Sequence, residues 1–210
     1  MSLLKPLNNT AIVLLSGLCA ISCDGPQNGT ATAEKPGNAT QSVAADKPFA
    51  AGGSVEMRLE GGNYVVRASA DDRIRVTFTG NTGSARADLG ITDTHATLAV
   101  KDTPNNNFGA TIEVPKTVDL VIHLNGGNLT MAAISGNKDI ESNAGNTDIT
   151  VGDPNDYSSV DASVKAGNID AGVFGESKSG LLQHLIWSGP GTHKLRATLG
   201  AGNLALRRSK

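Results

Sequence analysis

The sequence predicts an all-β fold: a single-domain β-solenoid, wound like a right-handed parallel β-helix from short strands and Gly-Asn corners, with a β-sandwich as the alternative. Three observations predict it. A short phrase recurs as Gly127-Asn128-Leu129-Thr130-Met131, Gly145-Asn146-Thr147-Asp148-Ile149, Gly167-Asn168-Ile169-Asp170-Ala171 and Gly202-Asn203-Leu204-Ala205-Leu206, with a fainter copy at Gly62-Asn63-Tyr64-Val65-Val66. Glycine is abundant, at 25 residues, while aromatic residues make up only 3% of the chain, which favours tight turns and strands of small side chains. Apolar residues alternate with period two in several segments, and no stretch holds a convincing helical period.

In chain order, residues 1–22 read as an export signal. Lys5 supplies the positive start, and the apolar run through Ala11-Ile12-Val13-Leu14-Leu15 is shorter than the ~20 residues of a membrane span. The run ends in Ala20-Ile21-Ser22-Cys23, which resembles the lipobox of bacterial lipoproteins. That resemblance implies cleavage before Cys23 and a lipid on its thiol, hence a membrane-anchored lipoprotein of the bacterial cell envelope, with inner or outer membrane left open. Ordinary signal cleavage with a free thiol is the alternative. Cys19 and Cys23 are the only cysteines, so no disulfide and no thiolate metal site can form between Asp24 and Lys210. Residues 23–50 carry the lipidated cysteine and a linker rich in Gly, Pro, Ala, Thr and Asn. Their scarcity of large apolar residues predicts a flexible tether. The domain is placed at 51–210.

Within it, Arg73–Thr79 puts Ile74, Val76 and Phe78 on one side, and Val118–Leu124 does the same with Val118, Leu120, Ile122 and Leu124. Ser54–Leu59, Tyr64–Ser69, Ala96–Val100 and Ala110–Val114 are further strands, the last stopped by Pro115, which has no N–H for a ladder. Asp71-Asp72, Gly80–Gly83 and Thr103–Asn107 are turn chemistry. Gly180–Trp187, confined by glycines, reads as a strand.

The second half repeats, with 18 residues from Gly127 to Gly145 and 22 from Gly145 to Gly167. Alignment of the copies puts Leu129, Thr147, Ile169 and Leu204 in one inward column. Met131, Ile149, Ala171 and Leu206 form a second, and Ala133, Val151 and Val173 a third. Ile134, Ile140, Val160 and Val164 supply a second inward strand per coil. Stacked coils bury what one coil cannot. Gly127, Gly145, Gly167 and Gly202 permit the positive φ of a sharp corner. Asn128, Asn146, Asn168 and Asn203 tolerate the same region and can pair with each other up the stack.

The order of these pieces, from Ile112-Glu113-Val114-Pro115 through Val118–Ile122 and the Gly-Asn coils to Trp187-Ser188-Gly189-Pro190-Gly191 and Gly202-Asn203-Leu204, is similar to the bacterial DUF4097 family. The likeness spans about Gly52 to Arg207. It implies a β-helical envelope domain labelled an adhesin by fold analogy, with no catalytic residues to carry over.

For chemistry the chain offers little. His95, His123, His184 and His193 have no metal-ligand spacing, and no nucleophile elbow, Walker loop or dinucleotide fingerprint occurs. Asp153-Pro154-Asn155-Asp156 has oxygen ligands but neither calcium-repeat spacing, and reads as a turn. A net charge of −2 gives no footprint for nucleic acid. No catalytic, cofactor or metal site is expected. The function expected is that of a non-catalytic envelope lipoprotein, structural, adhesin-like or partner-binding, its partners being the membrane through the lipid and an envelope protein or surface glycan. The alternative is a carbohydrate-active β-helix lyase or hydrolase, which would need paired carboxylates and aromatic rings, with Tyr64, Tyr157 and Trp187 as the candidates.

Overall fold

Alternation of apolar residues builds strands here, and glycines bend them. The computed structural model describes residues 41–209. The export signal, Cys23 and most of the linker lie outside the described residues. Thirteen strands follow in order. The first six are β1 (Ser42–Pro48), β2 (Ser54–Leu59), β3 (Gly62–Ala68), β4 (Arg73–Gly80), β5 (Arg86–Thr92) and β6 (His95–Lys101). Then come β7 (Phe108–Val114), β8 (Asp119–Leu124), β9 (Gly127–Met131), β10 (Lys138–Val151) and β11 (Tyr157–Ala171). β12 (Glu176–Ser188) and β13 (His193–Arg208) complete the set. The only helical elements among the described residues are 3-10 turns at Pro154–Asp156 and Gly172–Phe174.

All thirteen strands belong to one sheet folded into two faces. On the first face β5, β6, β2 and β8 lie side by side, continued by the opening halves of β10, β13 and β11 and the closing half of β12. On the second, β1, β4, β7, β3 and β9 are continued by the other halves of the same four long strands. Each long strand therefore crosses from one face to the other at a corner. Pairing is parallel through the middle of the stack and antiparallel at its ends, at β1–β4–β7, β5–β6 and β11–β12.

The spatial order is not chain order. β13 lies between β10 and β11, pairing in parallel with both. It can do so because β12 runs antiparallel to β11 and leaves β11's other edge free.

The inward residues form one core. Ile74, Val76 and Phe78 are buried, as are Val118, Leu120, Ile122 and Leu124. Register puts Leu129, Thr147 and Leu204 side by side, with Ile169 next to Leu204, and Met131, Ile149 and Leu206 in the adjoining column. Burial of each such aliphatic side chain stabilises by about 1.5–3 kcal/mol, so this column packing is the main source of stability.

Two sequence expectations need correction. The tether was expected through residue 50, yet Ser42–Pro48 pairs with β4 and Phe49 is 3% exposed, so the ordered domain takes them in. The third inward column does not form: Val151 is buried, but Ala133 is exposed, and Val173 sits half-buried in the turn after β11. The chain leaves the ladder there, so later residues no longer keep the strand's phase.

Candidate functional site

The corner glycines stand in one row up the edge of the stack. Register pairs Gly62 with Gly127, Gly127 with Gly145, Gly145 with Gly202, and Gly202 with Gly167. Their φ angles are 154°, 109°, 122°, 134° and 143° in that order, a region L side chains rarely enter. The paired strands also approach closely here. A Cβ on Gly145 would overlap the carbonyl oxygen of Gly127, and one on Gly127 would overlap that of Gly62.

The asparagines beside them form a continuous amide ladder. Asn168 Nδ2 donates to Asn203 Oδ1 at 2.8 Å, and Asn203 Nδ2 to Asn146 Oδ1 at 2.8 Å. Asn146 Nδ2 then donates to Asn128 Oδ1 at 3.0 Å, and Asn128 Nδ2 to Asn63 Oδ1 at 2.7 Å. Every amide donates in the same direction, so successive bonds polarise one another. The ladder joins neighbouring strands at a solvent-exposed edge. At the Asn63 end the edge opens into a cleft of about 530 Å³ lined by Glu60, Asn63, Asn105, Asn106, Asn107 and Asn125 among others.

Many of the charges on the flanks are matched to each other. On the second face Arg75 reaches Glu113 at 2.8 Å, Asp46 at 3.3 Å and Asp71 at 3.4 Å, and Arg67 holds the other Glu113 oxygen at 2.8 Å. The hydrogen bond from Arg75, aided by Arg67, holds Glu113 below the usual carboxylate range. The hydrogen bond from Arg73 does the same for Asp46. Further along this face Arg207 meets Asp148 at 2.7 Å. On the first face Arg196 lies 3.3 Å from Asp139 and 3.6 Å from Glu141, while His123 meets Glu141 at 3.2 Å and His184 meets Asp161 at 2.8 Å. His95 is bonded to Ser54, and His193 packs on Tyr157. The four histidines are thus apart from one another, each on its own partner. No group of three or more His, Cys, Asp or Glu able to hold a metal occurs among the described residues.

The acidic loop is a capped turn. The Asp153 carboxylate accepts from the Asn155 N–H at 3.0 Å, and Arg208 sits 3.6 Å from it. The aromatic residues needed for a sugar groove are committed elsewhere. Tyr64 and Tyr157 are 1% and 3% exposed, and Trp187 lies half-buried with its ring 4.9 Å from that of Phe174. All four phenylalanines are buried, which accounts for every aromatic ring in the chain.

One buried polar pair was not foreseen. Lys138, 2% exposed at the start of β10, donates to the Gly136 carbonyl at 2.9 Å and to the Tyr157 hydroxyl at 3.0 Å. Burial pulls the Lys138 ammonium down to about 8 and pushes the Tyr157 phenol up to about 12. Nothing local marks the pair, because the two residues are brought together only by the stacking of β10, β13 and β11.

No family model matches the chain, and no curated protein matches it in sequence. Among solved structures, one described as "a putative cell adhesion protein" from Clostridium sporogenes is similar at 10% identity and a TM-score of 0.49, covering 82% of this chain and all of the other. "A putative adhesin" from Bacteroides fragilis is 11% identical with a TM-score of 0.25, covering 80% of this chain and 97% of its own. A third, again "putative adhesin", from Parabacteroides distasonis, is 11% identical with a TM-score of 0.25, over 81% of this chain and 71% of the other.

Proposed function

We propose that this chain is an adhesin-like, non-catalytic lipoprotein of the bacterial cell envelope, whose domain is a β-solenoid of the DUF4097 kind held to the membrane through a lipid on Cys23. The observation that carries the reading is how the surface is spent. Many charges on both flanks close on one another in ion pairs, every aromatic ring is packed into or against the core, and one edge is an amide ladder joining the coils. Such a body is a rigid spacer with long polar faces. It suits holding a partner at a distance from a membrane better than enclosing and polarising a substrate.

Two experiments test this. Radiolabelled palmitate fed to cells expressing the full chain should label the protein, and Cys23→Ser should remove the label and release the protein from membranes. Membrane association unchanged by the substitution would sink the anchor. For the domain, purified full-length protein incubated with isolated envelope polysaccharide should bind without releasing reducing ends or unsaturated sugar. Time-dependent release would overturn the non-catalytic reading and favour the lyase or hydrolase.

A further inference from the structure

The two ends of the stack are finished differently. At one end the edge strands of the two faces close on each other: β1 and β5 are in contact, and Lys47 Nζ of β1 donates to the Leu89 carbonyl of β5 at 2.6 Å. β1 also carries a bulge between Val43 and Ala45, the charges Asp46 and Lys47, and Pro48, all of which discourage a further strand. At the other end lies β12. Among the described residues it pairs with β11 alone, so one edge of a 13-residue strand is open. From Gly180 to Ser188 it has no Asp, Glu, Lys or Arg.

The corner of this last coil also differs in composition. Where β10, β11 and β13 turn, the residue before the corner glycine is Ala144, Ala166 and Ala201. Register places Leu181 opposite Ala166, and Leu182 follows it. Leu181 is 74% exposed and Leu182 80%, and Leu182 holds a φ of 52°. A leucine in left-handed backbone is strained, and an exposed leucine pair loses what burial would supply. Both costs fall on the same residue at the same open edge. Strain and exposure together mark a surface completed by something else.

We propose that β12 is a homodimer edge, covered by β12 of a second copy running antiparallel about a two-fold axis between Leu181 and Leu182. Shape chooses this occupant. β12 bends through the corner from one face to the other, so a straight peptide can follow only one of its halves. A second β12 has the same bend. Bend-on-bend antiparallel pairing is also what β11 and β12 already do, with Gly167 opposite Gly180 and Ala166 opposite Leu181. With the axis between the two leucines, Leu181 faces Leu182 of the other copy, Gly180 faces Gln183, and Ser179 faces His184. Inward positions then meet inward positions: Lys178 lies opposite Leu185, and Glu176 opposite Trp187. Lys178 and Glu176, 2.9 Å apart, enter the interface as a neutral pair. A two-fold makes both copies contribute the same surface, so no complementary partner is needed.

The test is sedimentation of the purified full-length chain across a hundredfold range of concentration. Dimer is expected to grow with concentration, and Leu182→Asp is expected to weaken association by at least about tenfold. Asp tolerates the left-handed backbone and the site is exposed, so the variant should keep its circular dichroism and Trp187 emission. Register is read separately by mixing Leu181→Cys with Leu182→Cys protein, both carrying Cys19→Ser and Cys23→Ser. The mixed disulfide should exceed that formed with a Ser42→Cys control on β1. A chain that stays monomeric throughout overturns the proposal. So does a dimer that survives Leu182→Asp, or one in which Ser42→Cys cross-links as well as the leucine positions.

Discussion

Gly145→Ala and Gly180→Ala separate two reasons for glycine at a corner. Their φ angles are nearly identical, 122° and 123°, so the backbone strain of adding a Cβ is the same at both. That strain is about 1–3 kcal/mol. The surroundings differ. At Gly145 the new Cβ overlaps the Gly127 carbonyl, part of the neighbouring coil's backbone, whereas at Gly180 the nearest atom is the Gln183 amide nitrogen at 3.4 Å. Forcing the paired strands apart at Gly145 adds an overpacking cost of about 1–3 kcal/mol. Gly180→Ala should therefore lose about 2 kcal/mol and Gly145→Ala about 4 kcal/mol. Urea unfolding followed by the single tryptophan, Trp187, reads both, the denaturant slope being checked for constancy. Equal losses at the two positions would show that only φ matters, and the close stacking of the glycine row would then contribute nothing.

Other outcomes follow from the same packing. Asn146 both donates and accepts in the ladder, whereas Asn168 only donates, so Asn146→Ala should cost about twice as much as Asn168→Ala, roughly 2 against 1 kcal/mol. Equal costs in urea unfolding would mean the ladder's bonds are not transmitted. Thr147 is 1% exposed among leucines, and its hydroxyl has no hydrogen-bond partner, so Thr147→Val should raise stability by about 1 kcal/mol. A loss instead would reveal a partner for that hydroxyl. Lys138 gives a pH signature. Its folded pKa, about 8, lies below the ordinary 10.5, so the unfolded chain binds more protons between those values and stability rises with pH across that window. Lys138→Met should flatten the rise by about 2–3 kcal/mol when both proteins are unfolded at pH 7.5 and 10. Above pH 10 the raised Tyr157 pKa acts oppositely, because the unfolded phenol ionises first and stability falls. An identical pH slope in the two proteins would place Lys138 in water.

What could be read from the sequence was whatever one residue's chemistry dictates by itself. A corner needing positive φ and close backbone approach leaves glycine as the residue, and an exposed stackable amide beside it leaves asparagine. Strands such as Arg73–Gly80 were legible because one side is buried and the other is wet. β1 was not, since it is an edge strand with Val43 largely exposed and no side regularly buried, so its alternation carries no signal. The contact between Lys138 and Tyr157 and the insertion of β13 between β10 and β11 were illegible for another reason. Both depend on which coil lands on which, and the copies of the Gly-Asn phrase are too alike to say.

That insertion has a consequence for how the chain folds. His193–Arg208 pairs along nearly its whole length with two strands that precede it, and the β11–β12 pair joins the rest of the sheet only through it. The strands from β2 to β10 can assemble as they emerge, since β8 and β9 lie beside β2 and β3. The β11–β12 pair cannot dock until β13 is present. Folding therefore cannot run from one end to the other like a zipper. It ends with a late, long-range step in which the latest strand wedges two finished blocks together, a step that should be slow for its size. Until then the exposed flank of β10 is an unsealed seam, and that is where misassembly would start.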